Sequence, residues 1–309
     1  MTRLPQTKSL DSKKRMMFDP YENRRKIEKY LMKHLGCQIR FVQATRLSKS
    51  TREAPWKLVV ETDGTLRSYV LQLDQMSMTY EYQVLKAMGQ ISIPTPQAYG
   101  LDLAGKEIGI PCFFSDFIVG KTLLDPLMSG ELWAEALYVN AVCELQSVSE
   151  DKFRSLSKIL KRETAEDVLE DSYSALKQKS LPIVDRAYKE LKRTMPDLPE
   201  VRFSNGDLWL ENFIVKDRKL AGVIDFANAT FSDPIYEFLL PFFVSPELQG
   251  RGIEERYCRK MGYDLSMLHW YHGLEYFDTL RWVLKTGEGF IHHTAESLES
   301  DLQHWLGDQ

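Results

Sequence analysis

The chain predicts an α+β fold in two lobes, and three observations carry that reading. The front 118 or so residues are strand-like runs joined by tight turns. From Glu131 to about Met195, and again from Ile235 to Trp305, apolar residues recur at helical spacing. Between those helical stretches stands a short polar motif that reads as one hairpin. A β-rich front joined to a mostly helical remainder is expected to form two lobes with a cleft. The expected lobes are residues 1–118 and 119–309, with 1–18 a loose polar tail.

The elements follow in order. Asp19-Pro20 offers an N-cap with proline at the first helical position, and Ile27, Tyr30, Leu31, His34 and Leu35 mark one face of a helix closed by Gly36. Strand signals span Ile39 to Leu47, Trp56 to Glu61 and Arg67 to Leu73. Asp63-Gly64 joins the last two, a pair suited to a two-residue hairpin turn. Tyr80 to Met88 reads as a helix that ends before Ile93-Pro-Thr-Pro96, and Ile108 to Val119 supplies one or two buried strands. In the helical part, Leu132, Leu137, Val142 and Leu145 suggest one buried helix.

Bulk numbers narrow the function classes. The chain has 309 residues, 43% hydrophobic and 27% charged, which are globular values. A net charge of −4 shows no basic bias and argues against nucleic acid as the main partner. The amino terminus lacks the apolar core of a secretory signal, and the greasiest run, Phe238 to Val244, is too short to span a bilayer. Cys37, Cys112, Cys143 and Cys258 have no CxxC spacing and fit buried thiols in a reducing compartment. The expectation is a cytoplasmic protein with no membrane partner.

The motif is Phe203-Ser-Asn-Gly-Asp-Leu-Trp-Leu-Glu-Asn-Phe-Ile-Val215, with Gly222-Val-Ile-Asp-Phe226 close behind. Phe213 to Val215 reads as a strand, Lys216-Asp-Arg-Lys219 as a turn and Leu220 to Ile224 as the returning strand. Opposed residues in such a ladder lie about 5 Å apart, so Asp225 returns to within one or two rows of Asn212. A carboxylate and an amide oxygen so held suit magnesium, a hard cation that takes oxygen ligands. Asp207 is left free to accept a proton. Any one of these residues alone is a common turn former. Together at this spacing they are the constellation for phosphoryl transfer from a magnesium nucleotide.

These residues carry a family likeness. The order is strand hairpin, helix bearing Glu81, Pro94-x-Pro96 loop, hydrophobic hinge, helices, Asn205-Gly-Asp-x-x-x-x-Asn212 and Ile224-Asp-Phe226. It resembles the aminoglycoside phosphotransferase and choline kinase-like group of the protein-kinase-like fold. The likeness covers Ile39 to Leu240, and Ser204 to Asp225 is its specific part. The resemblance implies ATP or GTP with Mg2+ as cofactors, and a hydroxyl of an aminoglycoside-like antibiotic, amino alcohol, sugar or macrolide as acceptor. It implies Asp207 as the catalytic base, Asn212 and Asp225 as metal ligands, and Glu81 as the carboxylate that normally pairs with a strand lysine. The backbone of Asp116 and Ile118 would bond adenine, and Asp233-Pro234 with Glu237 would buttress the catalytic loop.

The chain departs from that pattern in three places. Asn205 stands where His is common, and its amide can still hydrogen-bond. The nucleotide-covering loop, Leu47 to Pro55, has no glycine; Lys49 and Arg52 with the Ser and Thr hydroxyls could bind phosphate there, or the loop is simply solvated. Gln72 occupies the lysine position and supplies donors without charge. A lone Glu81 would then need another partner or be driven toward protonation. With Asp63-Gly64 as a two-residue turn, Thr62 pairs with Thr65 and Lys57 opposes Val70, one diagonal step from Gln72. Lys57 then either reaches the nucleotide to replace the missing charge or points to solvent. These departures keep a second class in view, a catalytically weak pseudokinase that binds a nucleotide for regulation.

Other candidates carry less. Gly120-Lys-Thr122 lacks the earlier glycine of a phosphate loop, which has Ser115 in its place. His269 and His272 read as ordinary helix histidines, and His292-His293 as a surface turn. Glu247, Glu254, Glu255, Asp264, Glu275 and Asp278 either form an acidic pocket for a polycation or are the usual acidic helix surface.

Overall fold

The computed structural model describes residues 18–47, 55–73 and 78–307. The chain divides into two compact units. The first takes the residues up to Val119 together with Gly222–Asn228; the second takes Gly120–Ala221 and everything from Ala229.

The first unit contains α1 (Arg24–Leu35), β1 (Arg40–Arg46), β2 (Trp56–Thr62), β3 (Thr65–Leu73), α2 (Met78–Met88), β4 (Ala98–Asp102) and β5 (Cys112–Asp116). The strands form one antiparallel sheet in the order β1-β2-β3-β5-β4. Asp63 and Gly64 both take positive φ (50° and 73°), the turn geometry that matches strand twist. This fixes Thr62 opposite Thr65 and Lys57 opposite Val70, the register the turn predicts. Strand alternation then sorts the faces. Leu58, Val60, Tyr69, Leu71, Leu73 and Phe114 point one way and pack on Ile27, Tyr30 and Leu31 of α1. Lys57, Val70, Gln72, Phe113 and Ser115 share the other face, where Tyr82 of α2 meets the Phe113 ring edge-on at 5.7 Å.

Gly100 lets α1 lie directly on β4. A Cβ there would stand 2.7 Å from the His34 ring, and the Tyr30 hydroxyl donates to the Gly100 carbonyl. The sequence reading missed β4, since a five-residue strand with glycine in its middle carries no clear alternation. The N-cap of α1 is also corrected. Asp19 accepts from the Tyr21 N–H in a preceding turn, and the helix begins after Asn23.

The second unit contains β6 (Lys121–Thr122), α3 (Leu124–Met128), α4 (Leu132–Gln146), β7 (Arg162–Glu163), α5 (Ala165–Leu176), α6 (Pro182–Arg193), β8 (Arg202–Ser204), β9 (Phe213–Lys216), β10 (Lys219–Val223), β11 (Thr230–Ser232), α7 (Pro234–Val244), α8 (Ile253–Met261), α9 (Met267–Thr286) and α10 (Ala295–Trp305). β10, which runs on into the Gly222–Asn228 stretch of the first unit, joins β9 and β6 in one small sheet, while β7, β11 and β8 form another. The long α9 packs against α5, α6, α7 and α10. Gly273 permits the last of these contacts, because a Cβ there would meet the Trp305 ring at 2.3 Å. Gly120 is likewise a packing residue, 2.5 Å from Val215 O at the Cβ position, and Lys121 and Thr122 pair with Val215 and Ile214. The Gly-Lys-Thr run is therefore strand, not a phosphate loop.

α4 is buried along Ala134, Tyr138, Ala141, Val142 and Leu145. Leu132 departs from the expected face and is 74% exposed at the helix start. His293 also departs from expectation: it is buried and stacked on Phe243 at 4.3 Å, whereas His292 is exposed. Cys112, Cys143 and Cys258 are buried free thiols and Cys37 is half-buried. No helix among the described residues is long and apolar enough to cross a membrane.

Candidate active site

The loop from Asn205 to Trp209 has no regular backbone pairing, so side chains must satisfy its polar groups. Gly206 takes φ 75°, a turn that only glycine enters without strain, and its N–H donates to Ser204 Oγ at 3.0 Å. Ser204 Oγ in turn donates to Glu237 Oε2 at 3.4 Å. Two amides converge on one carbonyl: Asn205 Nδ2 and Asn212 Nδ2 each lie 2.9 Å from the Asp207 oxygen. One residue on, the Leu208 carbonyl accepts from the Tyr138 hydroxyl at 2.9 Å. The loop that presents the half-buried Asp207 side chain is therefore pinned from both flanks. Asn212, itself buried, spends its NH2 on this bond, which leaves its Oδ1 as an acceptor.

Glu237 and Asp233 lie beneath. Asp233 caps α7 through the Ile235 and Tyr236 N–H groups, both at 3.0 Å, and accepts from the Tyr271 hydroxyl at 2.7 Å. Burial pushes the Glu237 carboxyl above the usual range, and the negative charge of Asp207 adds to the shift.

The remaining predicted residues lie in the first unit. The Val223 N–H donates to the Pro94 carbonyl at 2.9 Å, and a Cβ on Gly222 would sit 3.2 Å from Ile118. Two residues on, Asp225 is exposed and takes φ 59°. That left-handed conformation costs a non-glycine residue about 1–2 kcal/mol, least for Asp and Asn. Glu81 on α2 is only 5% exposed; burial, and then the charge of Asp225, push its carboxyl up to about 8. Among the described residues no cation pairs with it. Gln72 is half-buried opposite Phe113. The Lys57 ammonium lies 4.0 Å above the Phe117 ring, four positions along from Phe113. The charge is held over Phe117, at the Asp116–Ile118 end of the sheet. The Asp116 N–H is committed to the Gln97 carbonyl at 3.0 Å, so its own carbonyl is what it can offer a ligand. Lys49 and Arg52 lie outside the described residues.

Other candidates resolve into structure. His269 stacks on Trp305 and His272 lies 3.5 Å from Glu254. Asp278 is buried and bound by Ser172, Tyr236 and Arg281. A cavity of about 720 Å³ in the second unit is lined by Arg162, Arg202, Phe203 and Phe231 and includes none of the predicted site residues.

Comparison with known proteins decides the family. The model of the APH phosphotransferase enzyme family matches residues 53–280. The chain belongs to that family. Its fold is shared with a putative aminoglycoside phosphotransferase of Ralstonia eutropha JMP134 (15% identity, 91% of this chain and 95% of that one, TM-score 0.64). It is shared too with a thermostable mutant of aminoglycoside phosphotransferase APH(4)-Ia in ternary complex with AMP-PNP and hygromycin B (18% identity, 91% and 98%, TM-score 0.62). A third such structure is macrolide 2′-phosphotransferase MphH from Brachybacterium faecium (11% identity, 93% and 99%, TM-score 0.57). Mouse acyl-CoA dehydrogenase family member 10 is 24% identical over 198 residues, 59% of this chain, but the chain spans only 18% of its length. Within the APH family the fold is the α+β, two-lobed protein-kinase-like one, and phosphotransfer is the general activity that membership carries.

What the sequence reading missed at this site is the Tyr138 bond beneath the loop. Tyr138 falls on an apolar helical stripe and reads as core, so nothing in its spacing marks the Leu208 bond.

Proposed function

We propose that the chain moves the γ-phosphoryl group of ATP or GTP to a hydroxyl of a small molecule, with Asp207 as the base. The observation that carries this reading is the Asp207–Asn212 loop, pinned at consecutive carbonyls with one carboxylate half-exposed and one amide oxygen left over. In the reaction the acceptor oxygen bonds to the γ-phosphorus, the bond from that phosphorus to the bridging oxygen breaks, and the nucleoside diphosphate leaves. The hydroxyl proton passes to Asp207. Asn212 Oδ1 and the Asp225 carboxylate would hold the magnesium ion: the hairpin links them in the sequence, one amide is already oriented by Asp207, and the carboxylate is exposed. When bound, magnesium offsets the charge of the nucleotide phosphates. The Asp116 carbonyl and the Ile118 N–H would meet the purine edge, with Lys57 adding a cation at that end. Gln72 would contribute donors and Glu81 a carboxyl beside Asp225. Relatives described with hygromycin B or as acting on macrolides support an amino-sugar, macrolide or other hydroxyl-rich acceptor. Buried free thiols suit a cytoplasmic setting.

A second reading, nucleotide binding for regulation with little turnover, is favoured by Gln72 and by a buried Glu81 lacking a described cation. Titration with Mg-ATP and Mg-GTP, followed by nucleoside diphosphate release on a panel of aminoglycosides, macrolides, amino alcohols and sugars, separates the two. The first reading expects binding and acceptor-dependent release. Binding without release across the panel selects the second, and no binding at all removes both.

A further inference from the structure

One side chain touches both ends of the segment that holds Asp207 and Asn212. Tyr138, fully buried on α4, donates to the Leu208 carbonyl at 2.9 Å. Its ring meets Phe213, the residue after Asn212, edge-on at 5.2 Å and stacks on Phe238 at 5.5 Å. The peptide plane after Asp207 is fixed by the two asparagine amides, and the next plane is fixed by Tyr138. Without its donor the Leu208 carbonyl would face an apolar interior, and the loop would turn to satisfy it. A carboxylate that must meet a hydroxyl at hydrogen-bond distance loses rate steeply when displaced by about 1 Å.

We propose that Tyr138 is a positioning residue for phosphoryl transfer, its hydroxyl setting the backbone that aims Asp207 while its ring braces Asn212 through Phe213. The proposal rests on Asp207 being the base. Burial, and then the charges of Asp207 and Glu237, push the Tyr138 phenol well above its ordinary range, so it remains a donor throughout the working pH range.

The test uses the full chain, Mg-ATP, and water as acceptor, with phosphate release as the readout. Tyr138→Phe keeps the ring contacts and removes only the donor. It should melt within a few degrees of wild type and bind Mg-ATP within about threefold, yet release phosphate about tenfold or more slowly, in kcat and not in KM. In an Asp207→Asn background the same substitution should have no further effect, because the group it aims is gone. A general structural loss would persist there. Phe213→Leu loosens the other end of the brace, leaves the hydroxyl in place, and serves if Tyr138→Phe fails to fold; its loss should also vanish in the Asp207→Asn background. Wild-type turnover in Tyr138→Phe, or an undiminished loss in the double variant, overturns the role of Tyr138 alone. Unchanged turnover in Asp207→Asn, or a wild-type protein that transfers the phosphoryl group neither to water nor to any acceptor of the panel, overturns the base assignment and this proposal with it.

Discussion

Glu81 shows how one substitution redistributes charge at the residue scale. With Gln72 in the lysine position, the helix carboxylate has no described cation and holds its proton up to about 8, against an ordinary value of 4.5. The consequence for stability has a definite sign. Between those two values the unfolded chain has released the proton while the folded chain keeps it, so the folded state loses stability as pH rises through that window. Above it the penalty is constant, and below the ordinary value it vanishes. Glu81→Gln should therefore melt higher than wild type at about pH 9 and with it at about pH 4, in thermal scans without nucleotide. A gap that does not close on acidification would mean that packing, not the proton, sets the difference. The departure at Gln72 was legible in the sequence. The burial that turns it into a titration effect was not, because α2 and the sheet meet only in three dimensions.

The β9–β10 hairpin shows at the element scale what local chemistry fixes and what it leaves open. Its two-residue turn, Asp217-Arg218, takes positive φ at both positions (51° and 59°) without a glycine. The Arg218 guanidinium lies 5.8 Å from the Trp133 ring on α4, an exposed contact of about 0.5–1 kcal/mol. Left-handed strain at an arginine costs about 1–2 kcal/mol. Arg218→Gly should thus leave stability unchanged or raise it by up to about 1 kcal/mol in urea unfolding. A clear loss would show the Trp133 contact to be the stronger effect. The Asp63-Gly64 turn and this one were both readable from residue type, and the first gave the Lys57–Val70 register directly. Where the Lys57 ammonium ends, over Phe117, depends on a ring supplied by the chain after β5. β4 escaped notice for a related reason: its glycine answers to His34 and Tyr30 on α1, not to its own strand.

At the scale of the whole molecule, the helical unit is tied internally by a buried ion triad. Glu135 on α4, 4% exposed on its side chain, pairs with Arg251 and with Arg256 of α8. Burial alone would raise its pKa, yet the two guanidinium groups hold the carboxyl below the usual range. Removing the carboxylate would strand Arg251, which is only 20% exposed. Breaking a buried pair costs about 3–5 kcal/mol. Glu135→Ala should fall near the lower end of that range, because Arg256 is 40% exposed. Chemical denaturation checks it, and a loss under about 1 kcal/mol would show the triad to be screened by solvent. The α+β division and the Ser204–Asp225 motif were visible in the sequence. Of the props under the Asp207 loop, Glu237 was implied by the resemblance and Ser204 opens the motif, whereas Tyr138 was hidden because it also reads as ordinary core.

The most direct test of the account is turnover by Asp207→Asn, measured at saturating Mg-ATP beside an independent measurement of nucleotide affinity. A general base contributes about 10²–10⁴ in rate, so turnover should fall by that factor with binding and melting temperature near wild type. A rate equal to wild type, with nucleotide bound as before, would contradict the assignment of Asp207 and the phosphotransfer mechanism built on it.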